Sequence, residues 1–197
     1  MFHKISERIT AFAIKNGVLD EQKAEEYIYG LEISFSVTAS YLAIILIGSF
    51  MGRPLEAILF LLLFTAVRRF SGGFHFKSQI KCFLTSCLLC PAVLLTVRYF
   101  PHSIFGYSAV EVISALTILI LSPVPAVEKP LDDREISVYG AISRAMIAAI
   151  STAYSILCIC GRHYTARIIA LTLCAVAALE IAGKVKQCMN KNKLSRL

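Results

Sequence analysis

Charge is what this chain has least of. Only 17% of its 197 residues are Asp, Glu, Lys or Arg, where a soluble domain carries about a quarter, and 57% are apolar. That balance excludes an ordinary water-facing globule. The chain also lacks low-complexity tracts, internal repeats and a domain-sized linker, so residues 1–197 read as a single polytopic domain. No cleavable signal peptide opens it, because Phe2 to Gly30 is amphipathic and charged throughout instead of carrying a short apolar core. Cysteine numbers seven, an odd count scattered mostly inside apolar runs. A secreted disulfide framework pairs its cysteines in short, loop-rich chains and is excluded on both grounds.

What is present is a set of uncharged runs. A helix needs about 20 mainly apolar residues to cross a bilayer core of about 30 Å, with flanking Arg and Lys reaching outward. On that measure the sequence predicts an all-α integral membrane protein with about six transmembrane helices, roughly 31–51, 54–68, 80–100, 104–122, 140–160 and 164–183. The second is the shortest and spans only where the bilayer thins. Ahead of them, Phe2, Ile5, Ile9, Phe12 and Ala13 fall at helical spacing, with Lys4, Glu7 and Arg8 opposite and Asn16-Gly17 as a stop. This predicts an amphipathic helix on the cytoplasmic membrane surface, followed by a second short helix from Asp20 to Tyr29. A solvated helical hairpin is the plainer alternative. Residues 184–197 form a basic cytoplasmic tail that anchors to anionic lipid.

Of the 20 basic residues, sixteen fall on the side shared by both termini and the even-numbered loops, and only Arg53, Arg98, Arg162 and Arg167 fall on the other. The positive-inside rule places both termini in the cytoplasm of a multi-pass cell-membrane protein. The net charge of +7 has the same origin. No nucleic-acid partner is implied, since no aromatic stacking module accompanies the basic residues.

Between the second and third spans lies "RRFSGGFHFKSQIKC", residues 68–82. It puts His75, a glycine pair and four basic residues beside Cys82, at the cytoplasmic start of the third span. Glycines 72 and 73 argue against one continuous helix, so a turn can bring the imidazole back over the sulfur. A thiol is a weak nucleophile until ionised, and an imidazole, a helix N-terminus and nearby cations all favour the thiolate. Candidates for orienting the histidine are Glu128, Asp132, Asp133, Glu135, Gln79 or a backbone carbonyl, and the sequence leaves the choice open. On the residues alone the plainer reading is a basic anchoring loop followed by a core cysteine, since a buried cysteine is most often a small hydrophobe.

Other groups carry plainer readings. Cys87 and Cys90 form C-x-x-C but sit inside a span, just before Pro91, and read as packing. A zinc site using them with His75 and Cys82 would spread its ligands over four helical turns. No metal or cofactor is expected. Glu56 and Glu180 read as pairing near the interfaces with Arg53 and Lys184, while Glu111 is deeper and has either a structural partner or a proton-linked role. His3, His102 and His163 read as interfacial anchors.

The stretch resembles the signature of the accessory gene regulator B family, membrane endopeptidases that process autoinducing-peptide precursors in quorum sensing. Arg68, Gly73, His75 and Cys82 stand in the family's order and spacing, with Arg69 and Ser78 as further matches. "SPVPAVEKPLDD", residues 122–133, is similar to the family's proline-containing loop, with Lys129-Pro130 at its centre; Glu128 departs from the more basic relatives. The resemblance covers essentially the whole chain. It implies a thiol protease in which Cys82 is the nucleophile and His75 the base and then the acid. Arg68, Gly73, Lys129 and Pro130 would support the oxyanion or the substrate. The partner it implies is a short amphipathic precursor peptide, cut at its C-terminal tail and closed to a thiolactone or lactone. It also implies a homodimer, for which the small residues from Ala141 to Ala149 offer a packing face. The rival readings are a small transporter or peptide exporter, in which Cys82 merely packs and Glu111 is essential, and a membrane scaffold without chemistry.

Overall fold

The computed structural model describes residues 3–72, 79–100, 103–124 and 132–194, and the regular elements among them are all helical. In order they are α1 (His3–Lys15), a 3-10 turn (Glu21–Lys23), α2 (Ala24–Phe50), α3 (Pro54–Ser71), α4 (Gln79–Tyr99), α5 (Ile104–Leu121), α6 (Asp133–Ile159) and α7 (His163–Leu194). Helices α2, α4, α5, α6 and α7 are long and apolar enough to cross a membrane. The chain is an all-α membrane protein, as its uncharged runs predict.

The expected second span is the exception. It becomes α3, whose 18 residues extend about 27 Å at 1.5 Å per residue. Glu56 stands in its first turn and Arg68 and Arg69 in its last, too much charge for a helix bathed in lipid. Its role is interior. Ala57, Phe60, Leu61, Phe64, Val67 and Ser71 recur at three- and four-residue spacing and are all buried, and the helix packs against α2, α4, α6 and α7. Gly48 permits the tight α2–α3 hairpin, because a Cβ there would collide with the Ala57 side chain. Pro54 starts α3 at the first turn, where its missing N–H has no intrahelical partner to lose.

Helix α7 is the axis of the bundle. It packs against α3, α4, α5 and α6, and 56% of its most apolar stretch is buried, against 11% for α2 at the periphery. Ala166, Ile169, Ala170, Leu173, Val176 and Ala177 make its buried stripe. Small residues among them let the neighbouring helices approach closely.

Three boundaries differ from expectation. The short helix expected at 20–29 and the span expected at 31–51 are one helix, α2, entered from a turn in which Asp20 accepts from the Gln22 N–H at 3.0 Å. Gly30 does not break it, since one glycine costs only about 1 kcal/mol in a helix that tertiary contacts hold. Helix α6 begins at Asp133, seven residues before its expected span, because Glu135 reaches back to accept from the Asp132 N–H at 3.2 Å and caps the start. Helix α1 folds back on α2, with His3 hydrogen-bonded to Glu32 at 2.6 Å. It turns Ser6 and Thr10 inward and leaves Ile5, Ile9 and Phe12 exposed. The small polar residues thus fill the hairpin seam, and the apolar side faces outward.

Candidate functional site

The site forms where α3 ends. Gly72 closes the helix, donating its N–H to Arg68 O at 3.1 Å, and takes φ +78°, a conformation open to glycine and strained for other residues. The chain after α5 returns to the same point. Val124 donates its N–H to Ser71 O at 2.9 Å, and Gly72 and Val124 form a parallel bridge. A Cβ on residue 72 would collide with the Val124 carbonyl. On the far side of that joint the Ser122 hydroxyl donates to Ser143 on α6 at 2.8 Å, and Phe70 packs edge-on against Tyr139 with ring centroids 5.9 Å apart. The two chain segments that follow Gly72 and Val124 are therefore rooted side by side.

Cys82 enters from α4. It occupies the first turn of that helix, whose leading N–H groups have no intrahelical acceptor, and it is half-buried and free of any disulfide. The Arg68 guanidinium is an electrostatic neighbour of its sulfur. Arg68 in turn packs over the Phe64 ring, 5.6 Å from guanidinium carbon to centroid. Cys82 thus stands at a helix N-terminus with a cation in its neighbourhood.

A carboxylate completes the cluster. Glu180 on α7 is completely buried, and Arg68 and the Ser71 hydroxyl are its polar neighbours. Ser71 stands beside the carboxylate without closing a hydrogen bond of full geometry, and neither Glu180 oxygen accepts one. The expected pairing of Glu180 with Lys184 does not form, because Lys184 is exposed while Glu180 points into the bundle. Sequence reasoning missed this role. The available signal was helical spacing, since Glu180 continues the stripe of Leu173, Val176 and Ala177. A basic residue four positions on offered a simpler partner.

Of the residues singled out in the sequence, Arg68 and Cys82 are brought together. His75, Gly73, Ser78, Lys129, Pro130 and Glu128 lie outside the described residues. Asp132 and Glu135, candidates for orienting a histidine, cap α6 instead. Glu56 pairs with Arg53 at 3.0 Å as expected. Glu111 is buried and accepts from the Ser151 hydroxyl at 2.6 Å, a structural pairing between α5 and α6. Cys87 and Cys90 lie within α4, which runs through Pro91 unbroken. Among the described residues, no three of His, Cys, Asp or Glu gather as metal ligands.

The family model for accessory gene regulator B matches residues 6–181. A curated relative, AgrB-like protein 1 of Clostridium perfringens (strain 13 / Type A), is 24% identical over 106 residues, which cover 54% of this chain and 57% of that protein. The chain thus spans little more than half the length of that relative. No solved structure matches it.

Proposed function

The chain belongs to the accessory gene regulator B family, and on that footing we propose that it is a membrane cysteine endopeptidase that cuts the C-terminal tail from a short amphipathic precursor peptide and promotes closure of the remainder to a thiolactone or lactone. The observation that carries this reading is the joint where Gly72 and Val124 hold the roots of two chain segments together, at the end of the bundle where Cys82 starts α4 with Arg68 as a neighbour. One of those segments carries His75 and the other Lys129-Pro130. The reading draws the nucleophile, its base and the substrate-binding loop from chain segments that leave this joint and the start of α4.

In the proposed reaction His75 takes the proton of Cys82. The sulfur attacks the peptide carbonyl, and the oxyanion is met by Arg68 or by backbone N–H groups near Gly73. The C–N bond then breaks, and the tail leaves as an amine that carries the proton returned by His75. The acyl group is now a thioester on Cys82. A thiol of the substrate attacks it in turn, forming a ring thioester of similar energy and restoring the Cys82 sulfur; a substrate hydroxyl would give the lactone. Water would instead yield a linear acid, and a site at the membrane boundary favours the internal nucleophile by excluding it.

With α3 counted as a sixth pass, crossing inside the bundle, the positive-inside rule supports a cytoplasmic site and cytoplasmic termini. The outward apolar side of α1, with Lys4 and Arg8 exposed alongside Ile5, Ile9 and Phe12, suits the lipid surface on which an amphipathic leader peptide would also lie. Ala141, Ala145, Ala148 and Ala149 are exposed on α6, where a second copy can pack. The test is co-expression with the peptide encoded nearest this gene. Cys82→Ala is expected to leave the precursor intact and Cys82→Ser to slow its cleavage severely. Normal processing by Cys82→Ala would sink the reading in favour of a transporter.

A further inference from the structure

Connections between helices normally run over the surface, but the chain that leaves α5 is buried and held residue by residue. Ser122 and Val124 are 6% and 1% exposed. The Ser122 hydroxyl donates to the Ser143 hydroxyl on α6 at 2.8 Å, and the Val124 N–H donates to Ser71 O at the end of α3 at 2.9 Å. Between them Pro123 lies close over Gly140, where a Cβ would stand 3.3 Å from the proline Cδ. One turn of α6 makes these contacts, since Tyr139, Gly140 and Ser143 share a face of the helix, and Tyr139 also meets Phe70 from α3. A buried hydroxyl is costly without a partner, and a satisfied polar pair between two elements selects one arrangement of them. The serine pair therefore fixes where the chain leaving α5 sits.

We propose that this turn of α6 is the seat of the substrate-binding segment, with Ser143 and Gly140 as its positioning residues. Both act through Ser122 and Pro123, which set the point from which the chain runs on to Lys129-Pro130. This rests on the reading of that loop as the one that receives the precursor, and it brings α6 into substrate handling. An error at the root is carried outward along the loop, and a misplacement of about 1 Å can cost about a hundredfold. His75 and Cys82 belong to other segments, so the effect falls on binding of the precursor. Gly140 separates position from stability. Alanine is the better helix former, so Gly140→Ala favours α6 itself while its methyl pushes Pro123 away by a few tenths of an ångström.

The experiment follows cleavage of the precursor encoded nearest this gene, against precursor concentration, by the full-length chain in vesicles. Hydrogen exchange at the Val124 N–H and unfolding in detergent are measured on the same proteins. Ser143→Ala should raise KM about tenfold with kcat within twofold, the pattern of lost binding, and should speed exchange at Val124. Ser143→Thr, which keeps the hydroxyl, should restore both. Gly140→Ala should raise KM about threefold without lowering resistance to unfolding, a combination that a merely structural role does not produce. Ser155→Ala, which removes an exposed hydroxyl elsewhere on α6, should match the parent. A parental KM in Ser143→Ala or in Gly140→Ala, or a fall in kcat in place of the rise in KM, overturns the seat. If Ser143→Ala does not fold, Gly140→Ala decides. Cys82→Ala is run in parallel: cleavage at the parent rate would sink the peptidase reading by itself. Exchange at Val124 then decides alone, and a parental rate in Ser143→Ala overturns the role of α6.

Discussion

Helix α3 has an arginine near a glutamate at each end, and the two arrangements differ in kind. At its start Arg53 donates to Glu56 at 3.0 Å, three residues along the chain, with side chains 41% and 21% exposed. The Glu56 hydrogen bond is the main reason the Arg53 guanidinium is held above its ordinary pKa, with Tyr164 contributing next; its ring lies under the guanidinium at 4.8 Å. At its end Arg68 faces Glu180 across a helix interface, with the carboxylate wholly enclosed. The first pair is local, hydrated and replaceable. The second uses two long-range partners and exists only when the bundle is assembled. A buried pair adds little net stability but is costly to break, because each charge is stranded without the other. Arg68 also neighbours the Cys82 sulfur, so this end of α3 is the one that bears on the candidate site.

The sharpest way to break the comparison is to remove the inner arginine. Arg68→Ala should destabilise the bundle by about 3–5 kcal/mol, the cost of stranding a buried partner. It should also lower precursor processing by about a hundredfold, the scale of one lost oxyanion donor. Titration with a denaturing detergent and a gel assay of processing check the two effects, and a variant as stable and active as the parent would contradict both. Gly72→Val comes next. It forces a β-branched residue to φ +78° and into the Val124 carbonyl, with an expected cost of about 1–3 kcal/mol. Processing should fall with it, because the joint between the two rooted segments opens; hydrogen exchange at the Val124 N–H, which donates to Ser71 O, reads that joint directly.

Ser151→Ala isolates the other buried acid. It strips Glu111 of its donor at a cost of about 1–3 kcal/mol, yet processing per folded molecule should stay within twofold of the parent. Loss of function without loss of fold would instead revive the exporter reading. Glu56→Gln should have the smallest effect, with no detectable change in unfolding or processing, as exposed pairs contribute little. An outer pair that proved as costly to break as Arg68 and Glu180 would erase the distinction between the ends of α3.

Much of this was legible in the sequence, for particular reasons. The apolar runs of α2, α4, α5, α6 and α7 are long enough that no arrangement other than membrane helices serves them. The Arg53–Glu56 pair was visible because three-residue spacing on a helix places its members together. α3 was less legible: 18 residues with three charges at the ends look like a poor span, and only packing reveals a core helix. The start of α6 was hidden because Asp132 and Glu135 resembled candidate acids for a histidine, and their capping use is a backbone event.

Taken alone, the sequence determined that the chain is helical and membrane-bound, which end of each helix carries positive charge, and that the thiol of interest stands at the start of α4. Those properties depend on runs and spacings within one stretch, where neighbours along the chain are neighbours in space. The tertiary structure alone decided that Glu180 turns into the bundle away from Lys184, that Arg68 and Cys82 become electrostatic neighbours, and that Gly72 meets Val124. Each of these brings together residues far apart in the chain. Its cause is the close approach of α7 to α3 and α4, which excludes water around a charge and leaves it only the partner that packing supplies.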